Sequence, residues 1–462
     1  MTDNALIDKA PVSVPGLTER VANFATNRAA QIPVNALEMG RLSIFDWLTV
    51  LRAGSNEPVA CVIRSLVSHE MSEGASSAFG MESKVSARAA ALINGSISHA
   101  LDYDDTHFGF GGHPTVAVLP AVLALAEEKK LGGRELLEGF VVGAEAACRL
   151  GVFLGRQHYA AGFHPTATAG TFGATVGASR LLGLSANQAR HALGFASTRA
   201  SGLRSQFGTM GKPIHAGMSS SNGVEAGLLA LFGLVSRADG IECVEGFAGT
   251  HASGNQEDCS EFGPETPFIF QDVQYKFYAC CHGIHGPLEA VLSLRESVKE
   301  NLEEIARIRF SVNPQWKNIC CINGPKTGLE IKFSLSTVIA MALIGIDTSS
   351  PESFADELCV DTRIATLADK TVIEFHPSVD DATTLVSVEM VSGTRMDASF
   401  DLRRPVSREF TAEKLQRKAV SLVGESHAEQ LWKFVSEIEM LSFEELSAAI
   451  RQEFAPPLGV SR

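Results

Sequence analysis

Apolar residues recur every three to four positions through most of the first 270 residues, a spacing that lines one face of a 3.6-residue turn and predicts helices. The segments Leu17 to Ala30, Asn35 to Ala53, Lys84 to Asp102, Pro114 to Lys130, Gly133 to Leu154, Ala186 to Ala200 and Ser220 to Leu234 fit this template, with Gly or Pro marking the gaps. Several are apolar on more than one side. The run from Pro114 to Ala126 is one, and such a helix belongs inside a multi-layered bundle. No part of this region reads as strand. After about residue 265 the period becomes two: Ile305 to Val312, Thr371 to Phe375, Thr384 to Met390 and Thr394 to Phe400 alternate, the last two joined across Val391-Ser392-Gly393 as a hairpin. Helical spacing returns from Thr411 to Arg451, where Ser442-Phe-Glu-Glu445 has the form of a capping box. The pattern leaves open whether this tail rejoins the first helical region.

Composition narrows the classes. With 462 residues, 45% of them apolar, the chain exceeds what a single core usually holds, so two domains are expected. The net charge of −14 offers no global field for nucleic acid, and neither nucleic-acid nor membrane partners are expected. No apolar run reaches the roughly 18 residues of a spanning helix, and MTDNALIDKAPVS at the N-terminus lacks a charged leader with an apolar stretch, so a cytoplasmic location is expected. Nine Cys, an odd number without a CxxC pair, read as reduced and mostly buried thiols; Cys280-Cys281 and Cys320-Cys321 form two doublets.

Titratable residues are unevenly spread. Ten of the thirteen His and all four Tyr fall between residues 99 and 285, which suggests a polar pocket in an otherwise aliphatic domain. The densest stretch is Ser98-His-Ala-Leu-Asp-Tyr-Asp-Asp-Thr-His107, followed by Gly-rich Phe108 to Gly112 and His113-Pro114. Continued as a helix, it puts His99, Asp102, Tyr103 and Thr106 on one face, with Asp104 and Asp105 turned elsewhere. The bland alternative is that the carboxylates only end one helix and cap the next turn. A metal site competes too, since His and carboxylate are metal ligands, but HxxxH and HExxH spacings are missing and no metal is expected.

Three later segments set a His or Lys at a Pro- or Gly-marked helix start: Ala161 to Thr168 with His164, Gly208 to His215 with Lys212, and Tyr275 to His285 with Lys276. A helix N-terminus with an adjacent cation makes a receptor for a carboxylate. Taken singly, each Lys could equally be a solvated surface charge, and His215 and His285 satisfied core histidines. GxxxxGK[ST], GxSxG and a strand followed by GxGxxG are all absent, which disfavours phosphate-loop, serine-hydrolase and Rossmann chemistry.

These motifs, in order and spacing, resemble the MmgE/PrpD family, which includes 2-methylcitrate dehydratase, cis-aconitate decarboxylase and iminodisuccinate epimerase. The resemblance rests on His99 to His107, His113 to Pro120, Gly162 to Thr168, Gly208 to His215 and Lys276 to His285, and it spans roughly residues 15 to 450. It implies a mainly α fold, with a large all-helical domain (1–268 plus 410–462) and a smaller α/β (α+β) lid domain (269–409), the active site between them. It also implies a homodimer and no metal or organic cofactor. Asp102, His113, His164 and Lys212 are the implied catalytic residues, and Thr106, Lys276, His99, Tyr159 and His285 the implied substrate contacts. The implied activity is that of a lyase, a dehydratase or decarboxylase moving a proton next to a carboxylate of a small di- or tricarboxylate. An epimerase of an iminodisuccinate-like dicarboxylate is the alternative, and a non-catalytic polycarboxylate-binding protein a third. One departure bears on the choice: Thr337 stands where many relatives carry a Tyr counted among the active-site residues of the decarboxylases.

Overall fold

The computed structural model describes residues 15–29, 31–252, 262, 266–404 and 406–455; the N-terminal leader reading and the expected end of the first helix at Ala30 lie outside the described residues. The chain is mainly α with a smaller α/β part. Its first core gathers the helices Leu17–Thr26, Val34–Ala53, Ala87–Ser98, Pro114–Glu128, Gly133–Ala160, Thr168–Leu181 and Gly211–Leu231. The C-terminal helices Arg408–Val423, Glu425–Ser436 and Phe443–Phe454 pack into this same core through Leu415, Leu431, Ile450 and Phe454. A second core forms between, from the helices His285–Val298 and Leu335–Ile344 and the inner faces of the strands.

Those strands are β1 (Ile305–Val312), β2 (Thr371–Phe375), β3 (Thr383–Met390) and β4 (Arg395–Asp401), in the order β2-β1-β3-β4. β1 runs parallel to β2 and antiparallel to β3, with Phe310 opposite Val386. β3 and β4 form the expected hairpin. Ile308, Phe310 and Val312 of β1 and Val386 and Val388 of β3 are buried, which is the period-two pattern of the sequence realised as one packed face.

In the helical part, several boundaries differ from the sequence expectation for identifiable reasons. The helix expected over Lys84 to Asp102 starts at Ala87, capped by the Ser86 side chain, and stops at Ser98. The one expected to end at Leu154 is broken there: Gly155 turns out of helical geometry (φ +72°, ψ 174°), a left-handed conformation that favours Gly, and helix resumes to Ala160. Pro120 inside Pro114–Glu128 cannot donate to the Val116 carbonyl; Ser220 Oγ donates instead to Val116 O (3.3 Å) and Ala117 O (2.7 Å), so the helix continues.

Thr168–Leu181 has no apolar stripe and escapes periodicity analysis, because it is rich in Gly, Thr and Ser and buried on every side. Thr171, Thr175 and Ser179 each donate to the carbonyl four residues back at 2.7 Å, which makes their hydroxyls tolerable in the core. Its glycines let it lie against Gly133–Ala160: a Cβ at Gly173 would stand 2.7 Å from the Gly143 carbonyl oxygen and 2.6 Å from the Ala147 Cβ. The Gly173→Val protein is expected to lose about 3 kcal/mol through overpacking, read as a lower calorimetric unfolding midpoint; an unchanged midpoint would mean the two helices do not need this approach.

Candidate active site

The loop 99–113 joins the helices Ala87–Ser98 and Pro114–Glu128, and helix geometry does not run through it. His99 lies just past the helix end, and Asp102 is left-handed (φ +51°). Asp is among the non-glycine residues that enter this region most readily. The expected common face of His99, Asp102, Tyr103 and Thr106 is therefore not formed. Tyr103 turns into the second core, where its hydroxyl donates to Ser349 O (2.9 Å). Asp104, expected to point elsewhere, stands at the centre.

Two histidines share Asp104. His99 Nδ1 is 2.8 Å from its Oδ1, and His113 Nδ1 is 2.9 Å from its Oδ2 and 2.7 Å from the Asp105 carbonyl oxygen. Burial works against the Asp104 charge, but the His113 and His99 rings overrule it and hold the carboxyl well below its usual range. Because the neighbours of His113 Nδ1 are acceptors, that nitrogen carries the proton and Nε2 faces Asp102, 3.5 Å from its Oδ1. Burial lowers His99 to about 4, with Asp104 resisting and Lys212 and His113 adding to the drop. Its Nε2 has no hydrogen-bond partner among the described residues.

Two ammonium groups close on Asp102 from separate segments. Lys212, in the first turn of Gly211–Leu231, brings Nζ to 2.7 Å from Oδ1; Lys276, on the segment after residue 266, brings its own to 3.1 Å and also donates to the Asp102 main-chain carbonyl at 2.5 Å. The Lys side chains are only 14% and 6% exposed, whereas the Asp102 side chain is 45% exposed, so the clamp is open on the carboxylate side. Removal from bulk water opposes ionisation of Asp102, but Lys212 and Lys276 hold it well below the usual carboxylate range. Likewise burial opposes the Lys276 charge, and Asp102 and Asp104 reverse the effect and raise it.

His164 joins from the Pro-marked turn before Thr168–Leu181. It is buried, its ring roughly parallel to His99 with centroids 6.2 Å apart, and packed edge-on against Phe207. Its Nδ1 lies 3.1 Å from Nδ1 of His215. Two nitrogens that close share one proton, so each ring fixes the other's tautomer. Burial, then the neighbouring His99 and Lys212, press His164 well below 6.5.

Beside the clamp is a cavity of about 330 Å³ lined by Thr106, His113, Tyr159, His282, Trp316 and Asp381. Thr106 is strapped to Gln274 by reciprocal main-chain hydrogen bonds, and its hydroxyl is 3.1 Å from His282 Nδ1. Tyr159 carries the Arg204 guanidinium on its ring at 3.8 Å. His282, pressed by burial and Lys276 to about 3, was not singled out in the sequence, though it sits within a quoted motif. His285 does not line this cavity; it is buried behind His282, 3.3 Å from the Cys280 carbonyl oxygen. Other histidines of the cluster are structural. His107 accepts from Phe110 N–H and donates to Ile269 O, and His158 donates to His251 O and accepts from Thr168.

Among the described residues, His99, Asp102, Asp104 and His113 are the one group near enough together to suggest a metal. Asp102 Oδ1 is already held by two ammonium groups, and a divalent cation there would meet Lys212 and Lys276 directly. The set fits an anion better than a metal. Thr337 is apart from it, bonded to Ser334 (2.8 Å) on the wall of a different cavity with Cys321 and Phe375.

The chain is 28% identical over 374 residues to cis-aconitate decarboxylase of Homo sapiens, covering 76% of each chain. It is 29% identical over 360 residues to cis-aconitate decarboxylase of Aspergillus terreus, covering 71% of this chain and 72% of that one. Among the described residues no helix is long and apolar enough to cross a membrane. Residues 19–260 match the MmgE/PrpD N-terminal domain and residues 278–440 the MmgE/PrpD C-terminal domain, and the chain belongs to the MmgE/PrpD family.

Proposed function

We propose that this protein is a cofactor-independent lyase that moves a proton on a carbon next to a carboxylate of a small di- or tricarboxylate, with loss of CO2 or water. The observation that carries the reading is the convergence of Lys212 and Lys276 on one oxygen of the half-exposed Asp102 side chain, beside the imidazole of His113 and in a cluster with His99 and His164. Proton transfer next to a carboxylate builds enediolate charge on that carboxylate, and preorganised cations lower the energy of that state. A substrate carboxylate entering beside Asp102 meets both ammonium groups. His113, with Nδ1 protonated and Nε2 free, and His164, its tautomer set by His215, are the groups that can give or take the proton. Asp102 orients the lysines, Asp104 orients His113, and Thr106, Tyr159 and His99 shape the substrate's surroundings. The likeness to cis-aconitate decarboxylases supports CO2 as the leaving group. The homodimer belongs to the same reading.

A second reading, epimerisation, is favoured by the presence of two imidazoles, since a second base can return the proton to the opposite face. Incubation with citrate-, aconitate- and aspartate-like acids in heavy water, followed by proton NMR, separates the two. Cleavage with deuterium in the product supports the lyase; deuterium entering an uncleaved acid supports the epimerase; neither with any acid of the panel overturns both. Once a substrate is in hand, Lys212→Ala is expected to lower turnover by about 10²–10³-fold, and a loss within about tenfold, under ~1.4 kcal/mol, would remove Lys212 from the mechanism.

The depressed histidine sets a pH expectation. With His164 as base, its folded value lies below the ordinary 6.5, so the neutral form persists as pH falls through 6.5. The acid limb of kcat/KM is expected on the acidic side of 6.5, and a limb centred at or above that value would assign the base elsewhere.

A further inference from the structure

The two cysteine doublets, about forty residues apart in the chain, meet in the structure. The Cys320 and Cys321 thiols both donate to one carbonyl oxygen, that of Trp316 (3.7 and 3.6 Å), and the Cys281 thiol interacts with Cys320. Main-chain hydrogen bonds hold the three segments side by side: Cys281 N–H donates to Lys332 O (2.9 Å), Ile322 N–H to Phe333 O (3.0 Å) and Leu335 N–H to Cys320 O (3.0 Å). The chain after Cys281 is pressed onto Trp316 so closely that a Cβ at Gly283 would be 2.4 Å from the indole ring. Trp316 and His282, which adjoin these cysteines, line the active-site cavity, and Cys321 lines the neighbouring cavity with Thr337. All eight described cysteines are free.

The members of the cluster differ in the ways that decide thiol reactivity. Cys281 is half-buried and Cys320 fully buried. The neighbouring Cys320 thiol lowers the Cys281 thiol; burial opposes this, and the Gly283 N–H and the Lys276 ammonium reinforce it. Burial pushes Cys280, its chain neighbour, well up, and Cys148 in the helical core likewise. A thiol that is partly accessible, beside a cation and a hydrogen-bond donor, is the type that peroxides oxidise, and an adjacent buried thiol is placed to resolve the product.

We infer that Cys281 is a modification site for hydroperoxides, with Cys320 as its resolving thiol. The Cys281 thiolate attacks one peroxide oxygen; the O–O bond breaks, and with hydrogen peroxide the products are Cys281 sulfenic acid and hydroxide. Cys320, losing its proton to that hydroxide, attacks the Cys281 sulfur. The S–O bond breaks as the S–S bond forms, and the sulfenic oxygen leaves as hydroxide, which takes up the proton that Cys281 released on forming its thiolate. The peroxide is reduced by two electrons and the two thiols are oxidised by two. The resulting bridge ties the segment carrying Lys276 and His282 to the Trp316–Cys321 wall.

The test uses the folded, reduced full chain, hydrogen peroxide, alkylation of remaining thiols and peptide mass mapping, none of which depends on the substrate. Expected are a peptide pair joined through Cys281 and Cys320, loss of two alkylatable thiols, and their return with dithiothreitol. In the Cys320→Ser protein, dimedone should label Cys281. Should that variant not fold, Cys321→Ser replaces it and should still form the 281–320 bridge. The inference is overturned if Cys281 stays fully alkylatable after peroxide, or if the bridge that forms is Cys320 to Cys321 or Cys321 to Cys359.

Discussion

One carboxylate oxygen ties the site together. Asp102 Oδ1 is held by ammonium groups from a helix starting at Gly211 and from the segment around Lys276, with a histidine from a third segment 3.5 Å away. Two ammonium groups this close would repel and shift towards neutrality without a counter-charge, since both are largely out of water. Asp102 is therefore what lets both stay charged, and its half-exposed side is where an anionic ligand can share that charge. The left-handed turn at Asp102 serves the same end, aiming the carboxylate and the adjacent main-chain carbonyl at Lys276 together.

That loop is itself anchored by a second buried ion pair. Lys418, on the C-terminal helix Arg408–Val423, donates to Asp46 Oδ1 and to the Tyr103 carbonyl, both at 2.6 Å, with its ammonium 4.0 Å from the Tyr103 ring centroid. Burial lowers Lys418, with Asp46 resisting, and burial raises Asp46 to about 6, with Lys418 resisting. Neither partner is comfortable alone, and removing one from such a pair typically costs about 3–5 kcal/mol. The chain end is in this way coupled to the residue next to Asp102. Behind the loop Asp105, held up to about 8 by burial, accepts from Thr115 and Ser43 and completes the floor.

Much of this was legible in the sequence, and what was not has physical causes. Strand periods in the α/β part were readable because one face of the sheet is buried and the other wet, so alternation survives. The segments supplying Lys212, Lys276, His113 and His164 stood out because a His or Lys sits beside Pro or Gly at a predicted helix start. Side-chain direction was not readable. Extending a helix from Lys84 through Asp102 gave a face that one left-handed residue abolishes, and it sent Asp104 away from the centre it occupies. Thr168–Leu181 was missed because a helix buried on every side carries no stripe. Nothing in residue type tells a ring lining a cavity, His282, from one packed behind it, His285.

The histidines of the site follow a common rule that bears on how protons could move. Each of His99, His164 and His282 is lowered, burial being the largest cause and neighbouring cations adding to it. An enclosure of this kind selects neutral rings, and a neutral ring has one donor and one acceptor nitrogen, so each hydrogen bond that fixes one nitrogen assigns the other. Asp104 fixes His99 through Nδ1 and the Asp105 carbonyl fixes His113 through its own Nδ1, while His164 and His215 fix each other. A proton taken up by His113 Nε2 makes an imidazolium flanked by Asp104 and Asp102, the two carboxylates nearest to it. A proton taken up by His164 faces other imidazoles and Lys212 instead. Two rings of the same chemistry thus have unlike surroundings, His113 between carboxylates and His164 among imidazoles and a lysine.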